Sequence, residues 1–169
     1  MPLIVAAPGR MQAGRKTEAI VELLDLYPTL VDLAGLPAAA GLEGTSFVPV
    51  LAEPDLPGKA VALTQHPHPF YSGKWTAMGY AVRSERYRYI EWRSREFGEV
   101  LARELYDHRR DPGETINRSA EPGYAEVASE MALLAQRHHK LDTASVRTAL
   151  LPAWNPKASR CLNSCSGPP

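Results

Sequence analysis

His66 and His68 stand two residues apart in the stretch Gln65-His66-Pro67-His68-Pro69-Phe70-Tyr71. On an extended backbone that spacing turns both imidazoles to one side, and imidazole nitrogen is a common ligand of transition metals. A metal site needs a third and a fourth ligand, and no further side chain is spaced to supply them, so a polar loop lining a pocket explains the pair better. Pro67 and Pro69 forbid regular ladder bonding, which predicts an exposed, extended path at a strand end, where function concentrates more often than in cores.

Arg83, Arg86, Arg88 and Arg93 are the second set with chemistry to offer. A guanidinium fork suits carboxylate and sulfate oxygens, so some of them could meet an anionic ligand. The other reading lays them on a solvated sheet face with their stems over aromatic rings, the usual state of an antiparallel sheet. His138 and His139 read as cations favourable to a helix C-terminus. Asn117-Arg118-Ser119 fits a glycosylation acceptor, but no signal peptide accompanies it. Cys161 and Cys165 lie in a Ser/Pro/Asn-rich stretch with no histidine nearby and read as free thiols. The acids are scattered, and neither a Gly-x-Ser-x-Gly elbow nor a phosphate-binding glycine loop occurs. Taken alone, these residues propose no catalyst.

The chain has 169 residues, 44% of them hydrophobic, and a formal net charge of zero. That suffices for an ordinary core and gives no basic excess of the kind that marks nucleic-acid or membrane-surface binders. No apolar run approaches the ~18–20 residues a spanning helix needs, and the first residues lack the basic start of a secretory signal.

The elements that must position these side chains centre on Met78 to Trp92. Two runs of period-2 alternation flank Ser84-Glu85-Arg86, which predicts a β-hairpin in an antiparallel sheet with one buried face. Lys59 to Thr64 reads as a strand before it and Arg103 to Asp107 as one after it. Asp111-Pro112-Gly113-Glu114 is a turn signal, and a helix from about Tyr124 to His138 follows Pro122-Gly123. Upstream, Leu3-Ile4-Val5-Ala6-Ala7 reads as a buried strand, Arg10 to Thr17 as a loop, and Glu18 to Glu22 as a short strand or the approach to a helix. Asp25 is a candidate N-cap, Pro28 suits a first turn and Gly35 a stop, so a short buried helix with Leu26, Leu30 and Leu33 on one face is expected. Ala38 to Pro57 reads as a loop with one helical turn around Ser46 to Leu51.

Several of these stretches together resemble one family. Asp25-Leu26-Tyr27-Pro28-Thr29-Leu30 with Ala34-Gly35 is similar to the Asp-x-x-Pro-Thr-Leu…Ala-Gly segment of sulfatases. Gly44-Thr45-Ser46-Phe47-Val48-Pro49-Val50-Leu51 is similar to their Gly-x-Ser-Leu-x-Pro-Leu-Leu segment. Glu104-Leu105-Tyr106-Asp107 through Asp111-Pro112-Gly113-Glu114-Thr115-Ile116-Asn117 is similar to their Glu-Leu-Tyr-Asp…Asp-Pro-x-Glu-x-x-Asn turn. Gln65-His66-Pro67-His68-Pro69 with Met78-Gly79-Tyr80-Ala81-Val82-Arg83 looks most like the iduronate-2-sulfatase branch, where a Gln-Tyr-Pro-Arg-Pro loop precedes a Met-Gly-Tyr-x-x-Arg hairpin; His66 and His68 depart from that loop. The resemblance covers roughly residues 2 to 136.

What the resemblance implies is an α+β fold: a small antiparallel sheet of about four strands with one packed helix, preceded by the last strand and helix of an α/β body. Residues 1–57 would then end the α/β catalytic domain, 58–141 would form the C-terminal subdomain, and 142–169 reads as a disordered tail. In the parent family, which hydrolyses sulfuric esters and is often exported, the formylglycine nucleophile from a Cys/Ser-x-Pro-x-Arg motif, the calcium ligands and the acid/base groups all come earlier. Cys161-Leu162-Asn163-Ser164-Cys165 lacks the proline and arginine of that motif. The chain is thus expected to be a C-terminal fragment, from a truncated or shifted reading frame, that needs the missing N-terminal domain as its partner and is inactive alone. By the same resemblance Gln65, His66, His68 and Arg83 would line the substrate side of a cleft for a sulfated sugar. The rival from another class is a stand-alone α+β binding module without chemistry; a split enzyme completed by a separate chain is a third reading.

Overall fold

The structure, a computed structural model, describes residues 3–11, 13–38, 40–69 and 76–149, with side chains through residue 137. A 3-10 turn, Leu23–Asp25, runs into α1, Leu26–Leu33, and a short α2, Val48–Ala52, follows. Then come four strands, β1 Val61–His68, β2 Ala77–Ser84, β3 Tyr87–Ser94 and β4 Val100–Asp107, a 3-10 turn Pro122–Tyr124, and α3 Ala125–Ala149. The strands form one antiparallel sheet in sequence order, β1-β2-β3-β4. The α+β layer expected from the sequence is therefore present. The helix that was expected to end near His138 continues along the backbone to Ala149; Cys161, Cys165 and the rest of the expected tail from residue 150 lie outside the described residues.

The hairpin alternation sets the core. Val82 pairs with Tyr89, and Tyr89 with Leu105. With their side chains on one face, these three meet Tyr124, Met131 and Ala135 of the final helical segment, and all six are buried. Ser84 closes the hairpin, its Oγ accepting from Tyr87 N at 3.0 Å. Gly79 on the opposite face is a close-approach position: a Cβ there would lie 2.9 Å from the Trp92 ring.

Both sheet edges are managed. Asn117 mimics a fifth strand beside β4, its Oδ1 accepting from Leu105 N at 3.0 Å and its Nδ2 donating to Arg103 O at 3.0 Å, while Arg118 N donates to Leu105 O at 2.8 Å. β1 is the other edge, which is why it carries Pro67, paired with Met78 within the ladder. The extended loop expected from Gln65 onward is thus part of the strand as far as His68.

Two expectations for the first third are corrected. Leu3 to Ala7 forms no strand, and Ile4 is 92% exposed. The helix over Leu26–Leu33 forms, and Gly35 stops it with φ +67° and a donation from Leu36 N to Val31 O, yet its apolar face is not buried. Leu30 is 65% exposed, and the buried residues there are Asp25 and Thr29.

Candidate functional site

Strand alternation sorts the four candidate residues. His66 pairs with Gly79 and His68 with Ala77, on the sheet face away from α3, where the His68 ring packs edge-on against Trp92 with centroids 5.8 Å apart. Arg83, paired with Ala62, shares that face but sits four residues farther back along β1, roughly 13 Å at the strand rise. Gln65, paired with Tyr80, falls with Leu63 on the helix side. The fold therefore brings His66 and His68 together with Trp92, and sets Arg83 and Gln65 apart from them. Trp92 was not singled out by sequence, although its position opposite Gly79 across the hairpin is the signal that a ring lies flat there.

Trp92 is fixed by its Nε1 donating to Glu104 at 2.8 Å, and Glu104 also accepts from the Tyr106 hydroxyl at 2.7 Å. That hydrogen bond, with burial and the negative charge of Glu104 behind it, pushes the Tyr106 phenol up to about 12. On the same face Glu114, at φ 55°, accepts from Arg88 at 2.8 Å and lies 2.7 Å from His108 Nε2. Despite its burial, which opposes ionisation, those two partners hold the Glu114 carboxyl below its ordinary value. Burial pushes the Arg83 guanidinium down, Glu114 draws it up and Arg88 pushes it down. Its Nη1 is buried with no hydrogen-bond partner among the described residues.

The guanidinium of Arg86 lies 4.7 Å over the Tyr87 ring, as the solvated-face reading expects, but Arg86, Arg88 and Arg93 each also have a carboxylate partner. Arg86 grips Asp107 with two bonds, Nε at 2.9 Å and Nη2 at 2.6 Å. Arg93 pairs with the fully buried Glu91, which also accepts from the Tyr89 hydroxyl at 3.0 Å. They neutralise carboxylates of this chain, so they lie neither on a purely solvated face nor open to an external anion. Burial and the neighbouring Glu91 push the Tyr89 phenol up to about 12. The carboxamide of Asn117 is engaged in β4's edge, which competes with its use as a glycan acceptor.

Among the described residues no group of three or more His, Cys, Asp or Glu side chains could hold a metal ion. The paired carboxylates Glu22 and Asp25 are taken up by Lys59, whose Nζ lies 2.5 and 2.7 Å from them. The described residues do not fit the calcium site that the resemblance implies for longer relatives. No described helix is long and apolar enough to cross a membrane.

Residues 1–141 match the family model described as N-sulphoglucosamine sulphohydrolase, C-terminal. Among curated proteins the chain is similar to the Delta 4,5-hexuronate-2-O-sulfatase of Bacteroides thetaiotaomicron, 32% identical over 139 residues, covering 77% of this chain and 26% of that protein. It is 33% identical over 139 residues to the iduronate 2-sulfatase of Mus musculus, covering 60% of this chain and 25% of that protein. Among solved structures it resembles a 2-O GAG sulfatase, with a TM-score of 0.58 and 29% identity over 73% of this chain and 26% of that one. The chain spans about a quarter of the length of the curated relatives it matches.

Proposed function

We propose, from the premise that this chain belongs to the family of the N-sulphoglucosamine sulphohydrolase C-terminal domain, that it serves as the C-terminal portion of an iduronate-2-sulfatase-like sulfuric ester hydrolase. The substrate class is a glycan carrying a 2-O-sulfate on a uronic acid. Carrying this reading is the likeness, at 32% and 33% identity, to two proteins named for removing a 2-sulfate. The chain contributes scaffold and one wall of the pocket; it does not break the bond. His66 and His68 belong to that wall, while Gln65, on the opposite sheet face, and Arg83, roughly 13 Å back along β1, stand apart from it. The imidazole N–H groups of His66 and His68, both exposed on β1, can donate to uronate or sulfate oxygens.

The apolar surface supports a role within a larger body. Leu23, Leu24, Tyr27 and Leu30 are between 43% and 66% exposed around α1. Leu3, Ile4, Leu36, Leu42 and Leu56 add to them, while the sheet's own core is closed. So much apolar surface on one segment marks a face to be covered, and residues 1–57 would there complete an α/β body that brings the formylglycine and the calcium ligands.

The test joins this chain to the sequence encoded immediately upstream and measures sulfate release from a 2-O-sulfated uronate disaccharide. The joined polypeptide should release sulfate, and the double variant His66→Ala/His68→Ala should raise KM by roughly tenfold or more, as loss of two charge-assisted contacts would. No release from a folded joined polypeptide would count against the reading.

A further inference from the structure

Four backbone segments meet at one charge cluster built around a buried carboxylate. Asp25 is 1% exposed. Its Oδ2 accepts from Glu22 N at 2.9 Å, and its Oδ1 accepts both from Thr45 N at 2.8 Å and from Lys59 Nζ at 2.7 Å. Lys59 Nζ also donates to Glu22 Oε2 at 2.5 Å, and the second oxygen of Glu22 accepts from Leu63 N in β1 at 2.7 Å. Lys59 N donates to Ile20 O at 3.0 Å. One ammonium thus stands between two carboxylates that hold, respectively, the start of β1 and the loop before α2.

We propose that Lys59, acting through Glu22 and Asp25, is a positioning residue: the cluster sets the direction in which β1 leaves the α1–α2 layer, and so the place of His66 and His68 at the far end of that strand. The inference rests on the reading above, in which those histidines form pocket wall and the α1–α2 layer belongs to the catalytic body. The lever is long. From Leu63 to His68 is about 17 Å at the rise of a strand, so a swing of about 5° at the root moves the far end by about 1.5 Å. A misplacement of about 1 Å can cost on the order of a hundredfold in rate or binding. β1 is an edge strand with a neighbour on one side in the sheet, so a side-chain anchor at its root has more influence than it would have in the middle. Without Lys59, Glu22 and Asp25 would face each other as two largely buried like charges, and Glu22 would swing away and release Leu63 N.

The experiment compares Lys59→Met and Lys59→Arg with the parent sequence by amide exchange in this chain and by sulfatase kinetics in the joined polypeptide. Lys59→Met should speed exchange at residues 61–66 at least tenfold while leaving Tyr89 and Leu105 protected, and should raise KM for the 2-O-sulfated uronate about tenfold with kcat changed less than about threefold. Lys59→Arg, whose fork can still reach both carboxylates, should stay within about threefold of the parent in both. An even loss of protection that includes Tyr89 and Leu105 would overturn the proposal, since that is a fold effect, and so would an unchanged KM alongside faster local exchange. If the joined parent polypeptide releases no sulfate, the functional reading fails instead. The exchange pattern then decides for or against the anchor by itself, local loosening supporting it and even or absent loosening refuting it.

Discussion

Replacing Asp107 with asparagine is expected to destabilise the sheet-and-helix core by on the order of 2 kcal/mol, the scale for hydrogen bonds to a buried carboxylate whose arginine partner still reaches solvent. Asp107 ends β4 with no exposed surface and accepts from Arg86 Nε and Nη2, from Arg109 N at 3.2 Å and from the Tyr124 hydroxyl at 3.2 Å. One carboxylate thereby ties the hairpin turn to β4 and to the entry of α3. An asparagine can keep one or two of those bonds but loses the charge that strengthens them. For a chain of this size the melting temperature should fall by roughly 4–8 °C. The milder change Tyr124→Phe removes one bond of the set and should cost about 1 kcal/mol.

The same residue sets an acid limit. The Arg86 fork holds the Asp107 carboxyl well below the usual carboxylate range, against a burial that opposes ionisation, with Arg109 N and Tyr124 adding to the effect. A carboxyl depressed in the fold adds stability that is complete above its unfolded value near ~4 and fades as pH falls toward the lower folded value. Melting temperatures of the parent chain and of Asp107→Asn should therefore differ most above about pH 5 and converge as pH drops toward about 2. A gap that stays constant across that range would mean that Asp107 acts through packing alone.

Gly44→Val should be the most damaging single change in the first third of the chain. A Cβ at Gly44 would stand 2.1 Å from Leu24 O and 2.7 Å from its carbonyl carbon, which are backbone atoms that no rotamer change can move. The loop must lift, and with it go the donations from Thr45 N to Asp25 at 2.8 Å and from Phe47 N to Thr29 Oγ1 at 3.1 Å. Overpacking of this kind costs typically ~1–3 kcal/mol, and two lost bonds to buried acceptors add about 1 kcal/mol each. Limited proteolysis should then cut between α1 and α2 while the core around Tyr89 and Leu105 stays intact. Gly41→Val, with nothing within 4 Å of its Cβ but a φ of +78°, should cost less and leave that loop docked.

The hairpin could be read directly because its information is local: two alternating runs that carry Val82 and Tyr89 flank the short polar break Ser84-Glu85-Arg86. Pro67 misled the strand boundary, since a missing donor is harmful only where a partner waits for it, and an edge strand has one side without such a partner. The α1 stripe of Leu26, Leu30 and Leu33 shows the limit of periodicity. It reports which face favours burial and is silent on whether the covering element belongs to the same chain. Asp25 shows a second limit. Its place before a helix suggests a cap, yet its own backbone is already helical, Glu22 takes the cap position before the 3-10 turn, and Asp25's partners Thr45 and Lys59 are 20 and 34 residues away. The arginine partners were hidden for the same reason, Arg86 and Asp107 being 21 residues apart. Of the candidate site, the pair His66 and His68 could be read from spacing on one strand. That Trp92 joins them and that Arg83 stands apart depends on the pairing of three strands.

The central claim is that this polypeptide shapes a pocket whose bond-breaking groups lie elsewhere in a longer protein. Purified alone, the 169-residue chain should release no sulfate above buffer from a 2-O-sulfated uronate disaccharide, even at high protein concentration and with calcium added. Saturable sulfate release that tracks the pure chain through chromatography would contradict it.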